Sequence, residues 1–314
     1  MPDARRHLLS TADLGRGDVE RLLESARAFA GSTEKLPLLR GRSVVNVFYE
    51  SSTRTLTSFE LAAKRLSAET TSLRAAGSSV DKGESLKDTI LTVSAYAPDV
   101  IVVRHPSVGA AQLVASWSRA HVVNAGDGKH EHPTQALLDL YAIESALGRL
   151  DGVHVAIVGD VLHSRVARSL VRALGLVGAQ ATLVGPPTLL PPGIDALGCG
   201  VSTDIGAIAD ADVVYVLRMQ RERMDDAFVP SLREYAAVWG ITPGRLRPGQ
   251  LVMHPGPMNR GVEIDARVAD SDAALVVDQV RAGLVVRMAV LDDLVAGPVA
   301  SETEAALAEP LEVA

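Results

Sequence analysis

The amino-acid sequence predicts an α/β fold, two doubly wound parallel-sheet domains with the active site in the cleft between them, and three observations lead there. Short β-branched runs alternate with stretches of helical period, the pattern of a parallel sheet covered by helices on both faces. The alternation begins twice, on either side of a helical stretch at 133–147. The chain has 314 residues, about twice a domain of roughly 100–200 residues.

Residues 44–48 are apolar and β-branched, and apolar positions then recur at Leu56, Phe59, Ala62, Ala63 and Leu66, which reads as strand, turn and helix. Helix is predicted at 85–96, a buried strand at 100–103, helix at 109–117 and strand at 121–124. In 133–147, Leu137, Leu138, Tyr141 and Ala142 stand at helical spacing, with Pro133 in the first turn where its missing N–H costs nothing. This helix is expected to join the halves. Strands follow at 153–158, 181–184, 213–217, 251–253 and 274–277. The domains are expected at 1–133 and 134–278, with a helix at about 279–297 packing back on the first. The tail at 298–314, acidic, alanine-rich and without aromatics, is expected to be mobile.

Hydrophobic residues make up 47% and charged residues 22% of the chain, enough for each half to bury a core. The 31 basic and 38 acidic residues leave a net charge of −7, which argues against nucleic acid or an anionic membrane as partner. Any anion site must then be local. The single cysteine, Cys199, allows no internal disulfide and no cysteine-cluster metal site, as suits a reducing cytoplasm. The N-terminus has no apolar stretch after its charges, and no apolar run approaches the roughly 18 residues of a membrane span. A cytoplasmic location is expected.

The run Ser51-Ser52-Thr53-Arg54-Thr55 falls where the first strand hands over to the first helix. Free N–H groups at a helix start favour an anion, Ser52, Thr53 and Thr55 add hydroxyl donors, and Arg54 adds a bidentate fork. Together they suit a phosphate. The plainer reading is that Ser52 or Thr53 caps the helix and Arg54 lies in solvent. Arg104 and His132 follow other strands of the same predicted sheet and reach the same edge. Arg165 opens the helix after the strand at 153–158, and Arg218 with Gln220 ends the strand at 213–217. Two guanidinium forks suit a substrate with two carboxylates; alternatively Arg165, Arg168 and Arg172 form a solvated basic face.

The stretch from Phe48 to Thr55 resembles the carbamoyl-phosphate signature of the aspartate and ornithine carbamoyltransferases. The resemblance extends through Lys82-Gly83-Glu84, Arg104-His105-Pro106, His132-Pro133-Thr134-Gln135, Gly159-Asp160 with Arg165, Arg218-Met219-Gln220, and His254-Pro255-Gly256-Pro257-Met258-Asn259-Arg260. It implies that carbamoyl phosphate is held by Ser52, Thr53, Arg54, Thr55, Ser78, Arg104, His132, Gln135, Gly256 and Pro257. Thr55, Arg104 and His132 would donate to the carbonyl oxygen as it gains charge, each well-placed donor lowering the barrier by typically ~3 kcal/mol. Arg54, Thr55, Lys82, Arg104 and His132 form the implied catalytic set, and Lys82, Arg165, Arg218 and Gln220 the implied aspartate set. Ser78 and Lys82 would come from a neighbouring subunit, which makes the active assembly a homotrimer with shared sites. Where some members carry leucine this chain has Gly256, so only a backbone role is expected of Gly256 and Pro257.

Within the family, an ornithine enzyme would show acidic residues with a Ser-Met-Gly loop and a cysteine in the His-Pro turn; this chain has Arg218-Met219-Gln220 and a cysteine-free turn, which favours L-aspartate. No cofactor is implied. The pair His130 and His132 with Glu131 lacks the ligand number and spacing of a strong metal site. The strand-turn unit at 155–160 invites a nicotinamide reading, but only Gly159 stands where three spaced glycines are needed. A regulatory chain or a dihydroorotase is a further possible partner on which the residues are silent, and a non-catalytic paralogue is the remaining alternative.

Overall fold

The computed structural model describes residues 6–74, 83–220 and 228–296. The chain divides into two compact units, residues 1–134 with 282–314, and residues 135–281.

The first unit holds β1 (Ser43–Phe48), β2 (Glu69–Arg74), β3 (Val100–His105) and β4 (His121–Asp127) in the order β2-β1-β3-β4. All three pairings are parallel. Around the sheet run α1 (Arg16–Ala30), α2 (Thr53–Arg65), α3 (Leu86–Ala95) and α4 (Ala110–Trp117). Alternation sends Val47, Ile101, Val103 and Val122 to one face, against Ile90 and Val93 of α3 and Ala111 and Val114 of α4. Val44, Val100 and Val102 on the opposite face are equally buried, so both faces are covered, as an all-parallel sheet requires. Each such side chain contributes about 1.5–3 kcal/mol by leaving water.

β2 has no counterpart in the sequence reading. Its residues are polar apart from Leu73, and it is tied to β1 by side chains: buried Asn46 donates through Nδ2 to Thr70 and Ser72, both at 3.2 Å. The outer edge of β4 is partly covered by the N-terminal segment, where Leu8 N–H donates to Val122 O and Asn124 N–H to Leu8 O, each at 2.9 Å.

The second unit carries β5 (His154–Val158), β6 (Gln180–Val184), β7 (Gly200–Ser202), β8 (Val213–Val216) and β9 (Leu251–Met253) in the order β7-β6-β5-β8-β9. Every pairing is again parallel. Its helices are α5 (Pro133–Leu147), α6 (Arg165–Leu176), α7 (Leu232–Trp239), α8 (Ala266–Ala269) and α9 (Val276–Ala296). The unit boundary falls inside α5 and α9. Ala156, Val158, Val214, Val216 and Val252 pack on Tyr235, Trp239, Ile241 and Ile264.

One expected strand is absent: at 274–277 only Ala274 forms an isolated parallel bridge to Val252, and α9 begins at Val276. A short apolar run does not by itself separate a strand from the start of a buried helix. The later turns of α9 belong to the first unit, where Arg287 donates to Ser58 Oγ at 2.7 Å and lies 5.0 Å from the Phe59 ring centre. Asp293 there accepts from Arg21 Nε at 3.1 Å. No helix of the described residues is long and apolar enough to cross a membrane. The expected tail at 298–314 lies outside the described residues.

Candidate active site

In the first unit the chain leaves β1 at Phe48 and enters α2 at Thr53. Ser52 occupies the N-cap position with extended backbone (φ −158°, ψ 94°), yet makes no side-chain capping bond. The capping reading therefore does not account for this hydroxyl, and the N–H groups of the first turn keep the anion-favouring character of a helix start. Thr53 and Arg54 are exposed, whereas Thr55 is buried beneath them.

Parallel pairing brings the other residues to the same edge. Phe48 is the register partner of Arg104, and Tyr49 N–H donates to Arg104 O at 2.8 Å. Adjacent strands lie about 4.8 Å apart, so the tips of β1 and β3 are neighbours. The Arg104 guanidinium donates through Nη1 to Ala125 O at 3.1 Å, and its Nε lies 3.5 Å from Glu50 Oε2. These contacts hold the side chain across the strand ends. Burial keeps His105, its ring tilted against that of Tyr49 with the centres 4.8 Å apart, below the usual histidine range.

His132 is buried at the end of the loop that follows β4. Asp127 organises that loop, accepting from Gly109 N–H at 2.8 Å, from Asn124 Nδ2 at 2.8 Å and from Glu131 N–H at 3.1 Å. His130 turns to Asp127, with Nδ1 3.0 Å from Oδ2, and buried Glu131 accepts from the hydroxyls of Ser10 and Thr11. Neither neighbour of His132 is thereby directed to a shared ligand. Among the described residues no group of three or more histidine, cysteine, aspartate or glutamate side chains is placed to hold a metal ion. Ser78 and Lys82 lie outside the described residues.

In the second unit the tips of β5 and β8 are adjacent, Val158 being the register partner of Val216. Arg165 opens α6 just beyond β5 and is only 4% exposed, which removes it from any solvated basic face. Arg168 and Arg172, on the same helix, are half-buried. Arg218 and Gln220, also half-buried, follow β8. Asp160, fully buried, binds both segments: Oδ1 accepts from His163 N–H at 3.2 Å and lies 2.8 Å from His163 Nδ1, and Oδ2 accepts from Gln220 N–H at 3.3 Å.

Gly159 has a packing reason unrelated to dinucleotides. Its φ is +120°, and a Cβ there would stand 2.8 Å from Tyr235 Oη and 3.3 Å from Leu217 O.

The turn after β9 is held from two sides. His254 N–H donates to Gln279 Oε1 at 2.9 Å, and Gly256 N–H donates to His254 Nδ1 at 2.8 Å. With Nδ1 accepting, the proton of neutral His254 sits on Nε2, 3.2 Å from Glu263 Oε1. Gly256 (φ +64°) precedes Pro257 through a cis peptide bond.

Gln135 sits in α5 and donates through Nε2 to Asp139 Oδ1 at 3.0 Å. The sequence reading passed over Asp139, Tyr215 and Gln279, which surround this bond. The available signal was a carboxylate placed four residues after Gln135 in the apolar run Ala136-Leu137-Leu138-Asp139-Leu140.

Hydroxyls, a helix start and arginine at the tips of one parallel sheet, with buried and half-buried guanidinium groups at the tips of another, are equipment for handling small anions. Residues 6–145 match the carbamoyl-phosphate-binding domain of aspartate/ornithine carbamoyltransferases, and residues 151–294 match the family's aspartate/ornithine-binding domain. The chain is 56% identical over 300 residues to the aspartate carbamoyltransferase catalytic subunit of Acidothermus cellulolyticus, covering 93% of each chain. It is 56% identical over 303 residues to that of Salinispora arenicola, covering 93% of this chain and 98% of the other. Among solved structures it is similar to the Trypanosoma cruzi aspartate transcarbamoylase in complex with N-(phosphonacetyl)-L-aspartic acid, with TM-score 0.83, 32% identity, and coverage of 91% and 95%. It is likewise similar to the catalytic subunit of M. jannaschii aspartate transcarbamoylase, with TM-score 0.82, 40% identity, and coverage of 93% and 99%. The chain belongs to the aspartate/ornithine carbamoyltransferase family.

Proposed function

We propose that the chain is the catalytic subunit of an aspartate carbamoyltransferase, which moves the carbamoyl group of carbamoyl phosphate to the α-amine of L-aspartate. The products are N-carbamoyl-L-aspartate and phosphate, an early step towards pyrimidines. The observation that carries the choice of acceptor is the pair Arg165 and Arg218, which follow neighbouring strands of one sheet. Two planar forks match the two carboxylates of aspartate, whereas ornithine offers a single carboxylate and an additional amine.

Carbamoyl phosphate binds first, its phosphate on the start of α2 with Ser52, Thr53, Arg54 and Thr55, and on Arg104. Thr55, Arg104 and His132 donate to the carbonyl oxygen, which gains negative charge as the tetrahedral carbon forms. Gln135 and the backbone at Gly256 and Pro257 accept from the carbamoyl amide. Aspartate is seated by Arg165, Arg218 and Gln220. The amine nitrogen bonds to the carbonyl carbon, the bond from that carbon to the phosphate oxygen breaks, and the leaving phosphate takes the amine proton. No covalent enzyme intermediate, metal or cofactor is needed; holding the reagents in line supplies up to ~7–11 kcal/mol in favourable cases.

Ser78 and Lys82 act in the site of a neighbouring subunit, so the working form is an oligomer; we read it as a homotrimer, and the chain as cytoplasmic. Product analysis with carbamoyl phosphate and a panel of aspartate, ornithine, acetylornithine and putrescine tests the assignment. Carbamoyl-aspartate should form, and transfer to ornithine instead would overturn it.

A further inference from the structure

Asp139 is fully buried in α5 and gathers donors from three elements. Its Oδ1 accepts from Gln135 Nε2 at 3.0 Å and from Gln279 Nε2 at 2.7 Å, and its Oδ2 accepts from Tyr215 Oη at 2.8 Å. Burial first, and then the Asp139 carboxylate, hold the Tyr215 phenol well above its ordinary value, so that the hydroxyl stays a donor.

Both oxygens of Asp139 are occupied as acceptors, and the two glutamines turn their NH2 groups towards them, which fixes the orientation of both amides. Gln135 is left with Oε1 as the atom it can offer a ligand as acceptor. Gln279, turned the same way, points Oε1 at the backbone and accepts from His254 N–H at 2.9 Å. His254 in turn accepts from Gly256 N–H at 2.8 Å. The side chain and the backbone turn that the proposed function assigns to the carbamoyl amide thus both trace to one carboxylate.

We propose that Asp139 is a positioning residue for donor selection: by orienting Gln135 directly and the turn from His254 to Pro257 through Gln279, it makes this end of the site a set of acceptors. The inference rests on the carbamoyl transfer proposed above. A carbamoyl NH2 satisfies those acceptors; the methyl group of acetyl phosphate, similar in size and charge, leaves them unpaired. Sites built to hydrogen-bond a substrate group reject analogues lacking it far more strongly than sites that sort by size. Asparagine in place of Asp139 both donates and accepts, so Gln135 is free to turn its amide and the distinction weakens.

The test compares wild type with Asp139→Asn and Tyr215→Phe, reading the KM for carbamoyl phosphate, the KM for aspartate, and the inhibition constant of acetyl phosphate as competitor. In Asp139→Asn the carbamoyl phosphate KM should rise about tenfold or more while the acetyl phosphate constant moves less than about threefold, the size of a lost buried hydrogen bond. The aspartate KM should stay within about threefold, and Tyr215→Phe should shift the same donor ratio in the same direction by a smaller factor. An unchanged ratio of the two donor constants overturns the assignment, whatever happens to stability or turnover. Should Asp139→Asn not fold, the ratio in Tyr215→Phe decides alone. A wild-type chain that forms no carbamoyl-aspartate would overturn the proposed function and this inference with it; an active wild type with an unchanged ratio would overturn this inference alone.

Discussion

Arg54 is exposed at the start of α2, and its neighbour Thr55 is buried. Replacing Arg54 by alanine therefore removes charge at the proposed phosphate seat without opening the core. Turnover should fall by about 100-fold or more, the scale for losing one donor to developing charge, while the denaturation midpoint stays unchanged. Arg218 calls for a separate test because a lysine keeps its charge and loses its fork. Arg218→Lys should raise the aspartate KM by about tenfold with the carbamoyl phosphate KM little altered, as initial-rate measurements would show. At this scale the sequence was informative where polar residues cluster at strand ends, as Ser52 to Thr55 and Arg104 do. It was uninformative at Asp139, whose role depends on Tyr215 and Gln279, 76 and 140 residues away along the chain.

At the scale of elements, the apolar strands β1, β3, β5 and β8 were legible because burial on both faces leaves continuous β-branched runs. Two of the four edge strands were not: β2 is polar and tied by Asn46, and β7 has three residues, two of them exposed. The turn after β5 depends on Gly159. Gly159→Ala should lower stability by ~2 kcal/mol, combining a disfavoured φ with the contact on Tyr235. The same change made on Tyr235→Phe should cost less, and denaturant midpoints of the four chains measure the difference. At α8, the side-chain hydrogen bond from Arg267, followed by its backbone N–H, lowers the capping Asp265 from 3.8 to about 2. A carboxyl with a depressed folded-state value stabilises the fold above its unfolded value and loses that contribution as pH falls through the folded one. The Asp265 contribution should thus be complete above pH 3.8 and disappear on acidification through about 2, and a carboxyl NMR titration of the folded chain should show the Asp265 midpoint near 2 and not near 3.8.

For the whole molecule, two α/β units were legible in the repeated alternation, and the start of α9 was not, since 274–277 carries only a bridge before the helix begins. Assembly is the property that the proposed trans contribution of Lys82 makes measurable. Chains altered at Arg54 and chains altered at Lys82 are each expected to be inactive. Mixed under conditions that exchange subunits, they should regenerate roughly a quarter of the sites, because a shared site needs one intact residue from each of two chains. No recovery after demonstrated exchange would contradict a shared site. The central claim is that groups at the tips of one sheet hold the phosphate while Arg165 and Arg218 hold a dicarboxylate. A crystal structure of this chain with N-(phosphonacetyl)-L-aspartate tests it most directly: the phosphonate should contact Ser52 to Thr55 and Arg104, and the two carboxylates should contact Arg165 and Arg218. A phosphonate bound elsewhere, or carboxylates out of reach of both arginines, would contradict the account.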